Sequence, residues 1–336
     1  MTAEAAPLPL QAPREGVGAW PLVDRVAYRL CWVVGIGLCL IAGAIVVFFL
    51  VKGIAYLKPS LFVESPAPSL NQSQSGGFAD PLIGSLIVTA IGILIAAPAG
   101  VAIAAWLSEY GRPRALARVV ESTIEMLAGV PSVVLAIFGL LIFSKGFLAF
   151  LSQNAPRGAL GESFFNAGIV MSLIALPLVV AATREALSAL PNRLREASFA
   201  LGKTRATTTR NVLLPAIRPS IASGVVLGMG RIIGDTAIIT ILLGATLKNE
   251  PVGHVPLLGT LRGTGSTLTS YVYFNSPAGE GNSHEKAYAA AFVLLVIVLI
   301  LNAVVTRLTQ GPGQPSGLRL LGGLLFTRLR RRAPEA

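Results

Sequence analysis

Six stretches of this chain, at about residues 29–51, 82–107, 122–143, 166–183, 220–246 and 287–308, stay mostly apolar for 18 residues or more. At ~1.5 Å of rise per residue, each is long enough to cross a hydrocarbon core of ~30 Å. Lipid offers a backbone no hydrogen-bond partner, so runs of this kind fold as helices; an open sheet would leave its edges unsatisfied. The expectation is therefore an all-α, polytopic membrane bundle of six transmembrane helices. Composition agrees: 53% of the residues are hydrophobic and 13% charged, with the charges gathered between the apolar runs.

The first run, YRLCWVVGIGLCLIAGAIVVFFLV, is longer than the core of a secretory signal and lacks a convincing small-residue cleavage site, so it reads as a retained anchor. Cys31 and Cys39 both lie on it, about 12 Å apart along the helix axis, too far to bridge each other. An even number of spans puts both termini on one side. Of the 27 Lys and Arg residues, 19 fall on that side, 7 in the opposite loops, and Arg231 alone lies deep in a span. This bias places both termini in the cytoplasm. Residues 1–28 then form an N-terminal tail, 29–308 the membrane domain, and 309–336 a basic tail. In that tail, GLRLLGGLLFTRLRRRAPEA fits either a short helix on an anionic leaflet or a disordered basic segment.

The net charge of +11 reflects topology and attraction to anionic lipid. No basic stretch is interleaved with aromatic residues, so no nucleic-acid partner is expected. The outer loops are poor in chemistry, and SPAPSLNQSQSGG reads as a flexible polar connection. His254 and His284, the only two histidines, share the longest outer loop with no neighbouring Cys and no HExxH pattern, so no metal site is expected.

ASFALGKTRA, residues 197–206, fits a relaxed form of a phosphate-cradling loop. Such a loop works only between a strand and a helix, and NRLREA upstream is no strand. None of the three aspartates, Asp24, Asp80 and Asp235, closes a buried strand where a magnesium-binding acid belongs. The cytoplasmic insert between the fourth and fifth runs, about residues 184–219, is too short for a nucleotide-binding domain. No nucleotide cofactor is expected on this chain. Leu194, Ala197, Leu201 and Val212 recur near a helical period, Gly202 breaks the pattern, and Pro215 and Pro219 lead into the next span. Two short amphipathic helices meeting at a glycine turn result. Their apolar face has no lipid to bury and suits a groove on a cytoplasmic partner.

The stretch EASFALGKTRATTTRNVLLP, residues 196–215, resembles the EAA loop in permease subunits of binding-protein-dependent ABC importers. Glu196, Ala197, Gly202, Leu214 and Pro215 fall on the pattern, while Ser198 replaces the second alanine and Val212 an isoleucine. The resemblance implies that this insert is the coupling loop, docking on a separate ATPase subunit that holds ATP and magnesium. GSLIVTAIGILIAAPAGVAIAAWLSEYG, AGVPSVVLAIFGL and LGMGRIIGDTA are similar to the second, third and fifth spans of PstA-type permeases of phosphate-specific importers. The likeness covers roughly residues 80–308. It implies a type I importer fold in a bacterial cytoplasmic membrane. Its partners would be a homologous second permease, two copies of the ATPase and an extracytoplasmic phosphate-binding protein. Sulfate and molybdate permeases carry the same loop, so the oxyanion stays open. Where the family carries Glu in the fifth span, this chain has Asp235.

Arg231 and Asp235 are unusual without any resemblance, because Arg231 lies ~16 Å into its span. A charge there costs about 2.5–3.5 kcal/mol on insertion scales. One reading is a mutual i, i+4 pair sealing the bundle. The other is a guanidinium fork for a tetrahedral oxyanion, with Asp235 holding Arg231 in an empty pore and Thr236 lining the path. Gly129, Pro131 and Ser132 interrupt the third run and are candidates for amides exposed to a cavity, as are Pro98 and Pro177. A membrane-embedded hydrolase is the alternative from another class. No histidine lies in any span, and a lone carboxylate beside an arginine stays ionised as its partner. An added role in phosphate sensing is also open.

Overall fold

The computed structural model describes residues 21–66, 76–145, 161–244, 249, 256–277, 279 and 283–309. The expectations for the two tails, for most of the serine-rich loop and for His254 lie outside the described residues. The chain divides into two units, Met1–Lys52 and Gly53–Ala336. The first is the greater part of helix α1 (Leu22–Tyr56). Its apolar side chains are exposed around the whole helix, and Cys31 and Cys39 are free, exposed thiols on one shallow groove with Tyr28, Trp32 and Gly35. A helix apolar on every side is made for lipid or for other helices, not for water.

The second unit carries α2 (Ala79–Ala105), α3 (Arg114–Gly129), α4 (Ser132–Lys145), α5 (Phe164–Ala189), α6 (Asn192–Ala200), α7 (Arg205–Thr208) and α8 (Leu214–Ala216). It continues with α9 (Arg218–Gly234), α10 (Ala237–Leu242), α11 (Pro256–Arg262), α12 (Leu268–Asn275) and α13 (His284–Thr309). No strand occurs among the described residues. Four helices are each long and apolar enough to cross a membrane: α1, α2 with its extension to Tyr110, α5 and α13. Two bent pairs raise the number to six when each is one span: α3 with α4, bent by 107°, and the segment Arg205–Ala216 with α9, bent by 71°.

The core is built where α2, α5 and α9 meet, around Val88, Ala96, Val170, Met171, Ala175 and Ile232. The face of α9 turned to α5 is small, with Gly224 and Gly228 lying against Val179, Ala182 and Ala175. Small residues let helices approach closely where lipid supplies no hydrophobic drive to associate. A second cluster, at the end of the bundle where α2 and α13 begin, joins Phe78 and Tyr271 to Ala289 and Val293. A third, at the opposite end, joins Ala105 and Leu187 to Leu213 and Ile217.

The structure bears on the helix interruptions in three places. The third apolar run is broken where Gly129, Pro131 and Ser132 stand: α3 stops at Gly129, and Val130 is extended (ψ 129°) before Pro131. A residue preceding proline is driven from the helical region, and proline has no amide to continue the ladder. Pro98 and Pro177, by contrast, sit inside the unbroken helices α2 and α5. The fifth run ends as a helix at Gly234 and resumes at Ala237.

The described part of the long connection before α13, chiefly residues 256–277, packs against the bundle. Thr264, Ser266, Thr267 and Ser270 are buried. Thr267 and Ser270 cap α12 reciprocally, the Leu268 amide donates to Ser85 Oγ at 2.8 Å, and the Phe164 amide donates to the Gly263 carbonyl at 3.1 Å. In the first turn of α13, next to His284, Lys286 Nζ donates to the Gly76 carbonyl at 2.8 Å. The turn before α12 rests directly on Gly84, where a Cβ would collide with the Ser266 carbonyl oxygen. Gly84→Ala is expected to cost about 1–3 kcal/mol by overpacking. Thermal unfolding in detergent checks this, with Gly37→Ala on α1, where a Cβ meets nothing within 4 Å, as the unchanged control.

Candidate functional site

The break between α9 and α10 leaves backbone groups that a membrane interior cannot solvate. Asp235 departs from the helix with ψ 115°, and its buried carboxylate turns forward, where Oδ1 accepts the Ile238 amide at 3.1 Å. A carboxylate at the start of a helix also meets the positive end of its dipole. Behind the break, the Thr269 hydroxyl donates to the Ile233 carbonyl at 3.2 Å, and Thr240 Oγ1 donates to the Thr236 carbonyl at 3.1 Å. Ser85, Thr89, Ile232, Ile239, Thr267 and Thr269 line a narrow cleft there. The break is thus held by Asp235 itself and from α12, with α2 lining the cleft beside it.

Arg231 is not part of this network. Ser223, Leu227, Gly230, Arg231 and Gly234 form one exposed stripe along α9, opposite the face packed on α5. Arg231 stands ~20 Å from the start of the helix at Arg218, and among the described residues no ion pair involves it. The expected Arg231–Asp235 pair is therefore absent from this arrangement. An i, i+4 pairing needs a continuous helix, and the chain leaves the helix at Asp235. Gly234–Asp235–Thr236 carries the signal that would have shown this, a helix-stopping glycine followed by residue types that cap a new start.

The insert before α9 is the hairpin that the sequence predicts. α6 and α7 meet at Gly202, whose φ of +74° is a conformation L side chains rarely adopt, and Ser198 and Thr208 join the two arms through their hydroxyls at 2.8 Å. Glu196, Ala197 and Gly202 are exposed, and Phe199 and Leu201 present apolar surface, Leu201 at 79% exposure. Leu214 and Pro215 are half-buried at the root, where Leu213 enters the third cluster. Gly129 and Pro131 lie exposed at the elbow of the α3–α4 pair, with Ser132 half-buried. Sequence reasoning missed Glu109, Arg195 and Arg205, which meet at the base of the hairpin. It also missed the Glu121–Arg184 ion pair between α3 and α5. These partners lie between 63 and 96 residues apart in the chain, where no local pattern reports them.

Residues 91–312 match the family described as binding-protein-dependent transport system inner membrane component. The chain belongs to this family. It is a multi-pass membrane transport component, not an enzyme. The chain is 32% identical over 235 residues to the phosphate transport system permease protein PstA 1 of Mycobacterium tuberculosis H37Rv, covering 69% of this chain and 70% of that one. It is 30% identical over 287 residues to the phosphate transport system permease protein PstA of Haemophilus influenzae, covering 84% and 87%. A crystal structure of a bacterial alginate ABC transporter, in complex with a periplasmic protein bound to an alginate pentasaccharide, contains a chain of the same fold. The TM-score is 0.58 at 17% identity, covering 85% of this chain and 94% of that one.

Two outcomes follow from the geometry of this transport component. Asp235→Asn, which keeps an acceptor for the Ile238 amide, is expected to hold the break, whereas Asp235→Ala loses about 0.5–2 kcal/mol of capping; thermal unfolding of the two variants in detergent distinguishes them. Gly202→Val places a β-branched residue at positive φ, at a cost of about 1–2 kcal/mol. It is expected to leave the bundle assembled and to reduce transport, measured as uptake at matched membrane abundance.

Proposed function

We propose that this chain is one permease half of an ATP-driven importer of inorganic phosphate, and that Arg231 is the guanidinium the anion meets on its way through. The observation that carries the reading is the place of Arg231: a charge in the last turn of a membrane helix, just before its break, on the exposed face of α9 and with no ion pair among the described residues. Such a charge is costly in lipid, and the cost falls when the surface faces a polar path between subunits. A planar fork of N–H donors matches two oxygens of a tetrahedral anion, which a lysine's single point charge does not. The relatives named phosphate transport permeases support phosphate as that anion.

A homologous second permease covers the α9 stripe in this reading, so that the path runs between two exposed helix faces. An extracytoplasmic binding protein delivers phosphate to the side bearing α12. On the cytoplasmic side, with both termini, each of two ATPase copies grips the hairpin of one permease half, Phe199 and Leu201 filling a groove on its surface. ATP and magnesium belong to those ATPase subunits. Asp235 and Thr236 shape the path by holding the break open beside Arg231, and the elbow at Gly129, Pro131 and Ser132 supplies a second interruption. The membrane is the bacterial cytoplasmic membrane.

The test is reconstitution with the second permease, the ATPase and the binding protein, measuring phosphate-stimulated ATP turnover and uptake for the native chain and for Arg231→Gln. Losing a charged donor to an anion is expected to lower uptake by roughly 10- to 100-fold. Unchanged stimulation and uptake in the variant would remove Arg231 from the path. Preferential uptake of sulfate or molybdate over phosphate by the native complex would reassign the substrate.

A further inference from the structure

Beside the apolar packing at its root, the exposed hairpin is tied to the bundle by polar contacts that gather where α2 ends. Beyond Ala105, α2 continues through a single wide turn, Trp106–Tyr110, closed by the Gly111 amide on the Trp106 carbonyl at 2.8 Å. Glu109 in that turn has a side chain only 8% exposed. Its Oε1 accepts both Nε and Nη2 of Arg195, at 3.1 and 2.8 Å. The same guanidinium donates to the carbonyls of Leu187 at 2.9 Å and Leu190 at 3.3 Å, which close α5. Arg195 lies on α6, the first arm of the hairpin. Arg205, at the start of α7 in the second arm, donates to the Glu109 carbonyl at 2.9 Å, and its guanidinium lies 5.9 Å from the centre of the Tyr110 ring. One arginine from each arm therefore converges on Glu109, in the turn that extends α2.

The far end of α2 is where the outer turn rests, with Gly84 under Ser266 and Ser85 accepting the Leu268 amide. Between the two ends, Ile232, one turn before the break in α9, packs into the space left by Gly92. From Ala79 to Tyr110 the helix is 32 residues long, about 48 Å. α2 thus touches the hairpin, the break and the outer turn in one rigid element, and rigid elements are what carry displacement between distant sites.

We infer that Glu109 is the joint of the transport cycle: it fixes both arms of the hairpin to α2, so that movement imposed on the hairpin from outside the membrane is delivered along α2 to the α9 break and the outer turn. Glu109 is a positioning residue, since it is remote from Arg231 and acts through Arg195, Arg205 and the helix it ends. A charge-assisted, nearly buried pair with two N–H donors on one oxygen resists shear better than apolar packing, because sliding it exposes a charge to an unpaired setting. Without the joint, the hairpin still presents Phe199 and Leu201 to a partner but turns against the bundle without moving it.

This inference rests on the transport reading above, and the test separates the two. In the reconstituted complex, phosphate taken up per ATP hydrolysed is measured for the native chain, Glu109→Ala and Glu109→Gln, alongside subunit co-purification and thermal unfolding of each. Glu109→Ala is expected to assemble and to let the ATPase turn over, while uptake per ATP falls by about tenfold. Glu109→Gln keeps an acceptor for Arg195 and is expected to recover most of that ratio. Should Glu109→Ala fail to assemble, Arg205→Gln, which leaves the Arg195 pair intact and removes one tether, is expected to lower the same ratio. An unchanged ratio in an assembled Glu109→Ala complex, or in Arg205→Gln where the first does not assemble, overturns the joint. A native complex that takes up no phosphate overturns the transport reading instead.

Discussion

A hydrocarbon interior leaves the backbone nothing to bond to except itself, and the rest of this structure follows from how that demand is met where the helices stop. Long uninterrupted helices such as α2 and α5 meet it locally, each amide finding its carbonyl one turn away. The places where the chain cannot do so are the places that matter. At the end of α9, Asp235 takes up an amide of α10 and Thr269 supplies a donor to the Ile233 carbonyl, so a helix break survives at membrane depth. The donor from outside the break comes from α12, whose own start is held by Ser85 of α2, so this segment is drawn against the bundle.

Outside the membrane the constraint is reversed. Water satisfies the backbone of the hairpin around Gly202, and what has to be explained is its exposed apolar surface. Phe199 and Leu201 have no lipid to face, and Leu194 is also exposed. Such surface is characteristic of a contact with another protein. Its rigidity comes from charge: the Glu109–Arg195 pair, the Arg205 tether and the Ser198–Thr208 bond fix an otherwise small element. Apolar packing holds the bundle, and directed polar contacts hold the hairpin against it.

The separation of Arg231 from Asp235 shows how local reading fails in a specific way. Both stood out as charges within an apolar run, and the run itself was correctly taken as membrane-embedded. The pairing assumed for them came from helical periodicity, which holds only while the helix lasts. Asp235, one methylene shorter than the glutamate the family resemblance leads one to expect, is of the residue types best suited to accept an amide at a helix start. Its role as a cap and the freedom of Arg231 are two sides of one backbone event.

The sequence by itself determined that this chain is an all-α membrane bundle with a glycine-tipped hairpin between two of its apolar runs. Those properties depend on run length, residue polarity and the conformational demands of Gly202, all of which are local. Only the tertiary structure decided that Arg195 and Arg205 meet at Glu109, that Ser85 supports the start of α12, and that α3 and α4 form an elbow of 107°. Apolar patterning specifies which segments enter lipid without specifying which of their faces meet. Contacts between residues far apart in the chain are settled by packing and by the search for polar partners, and neither leaves a periodic trace in the sequence.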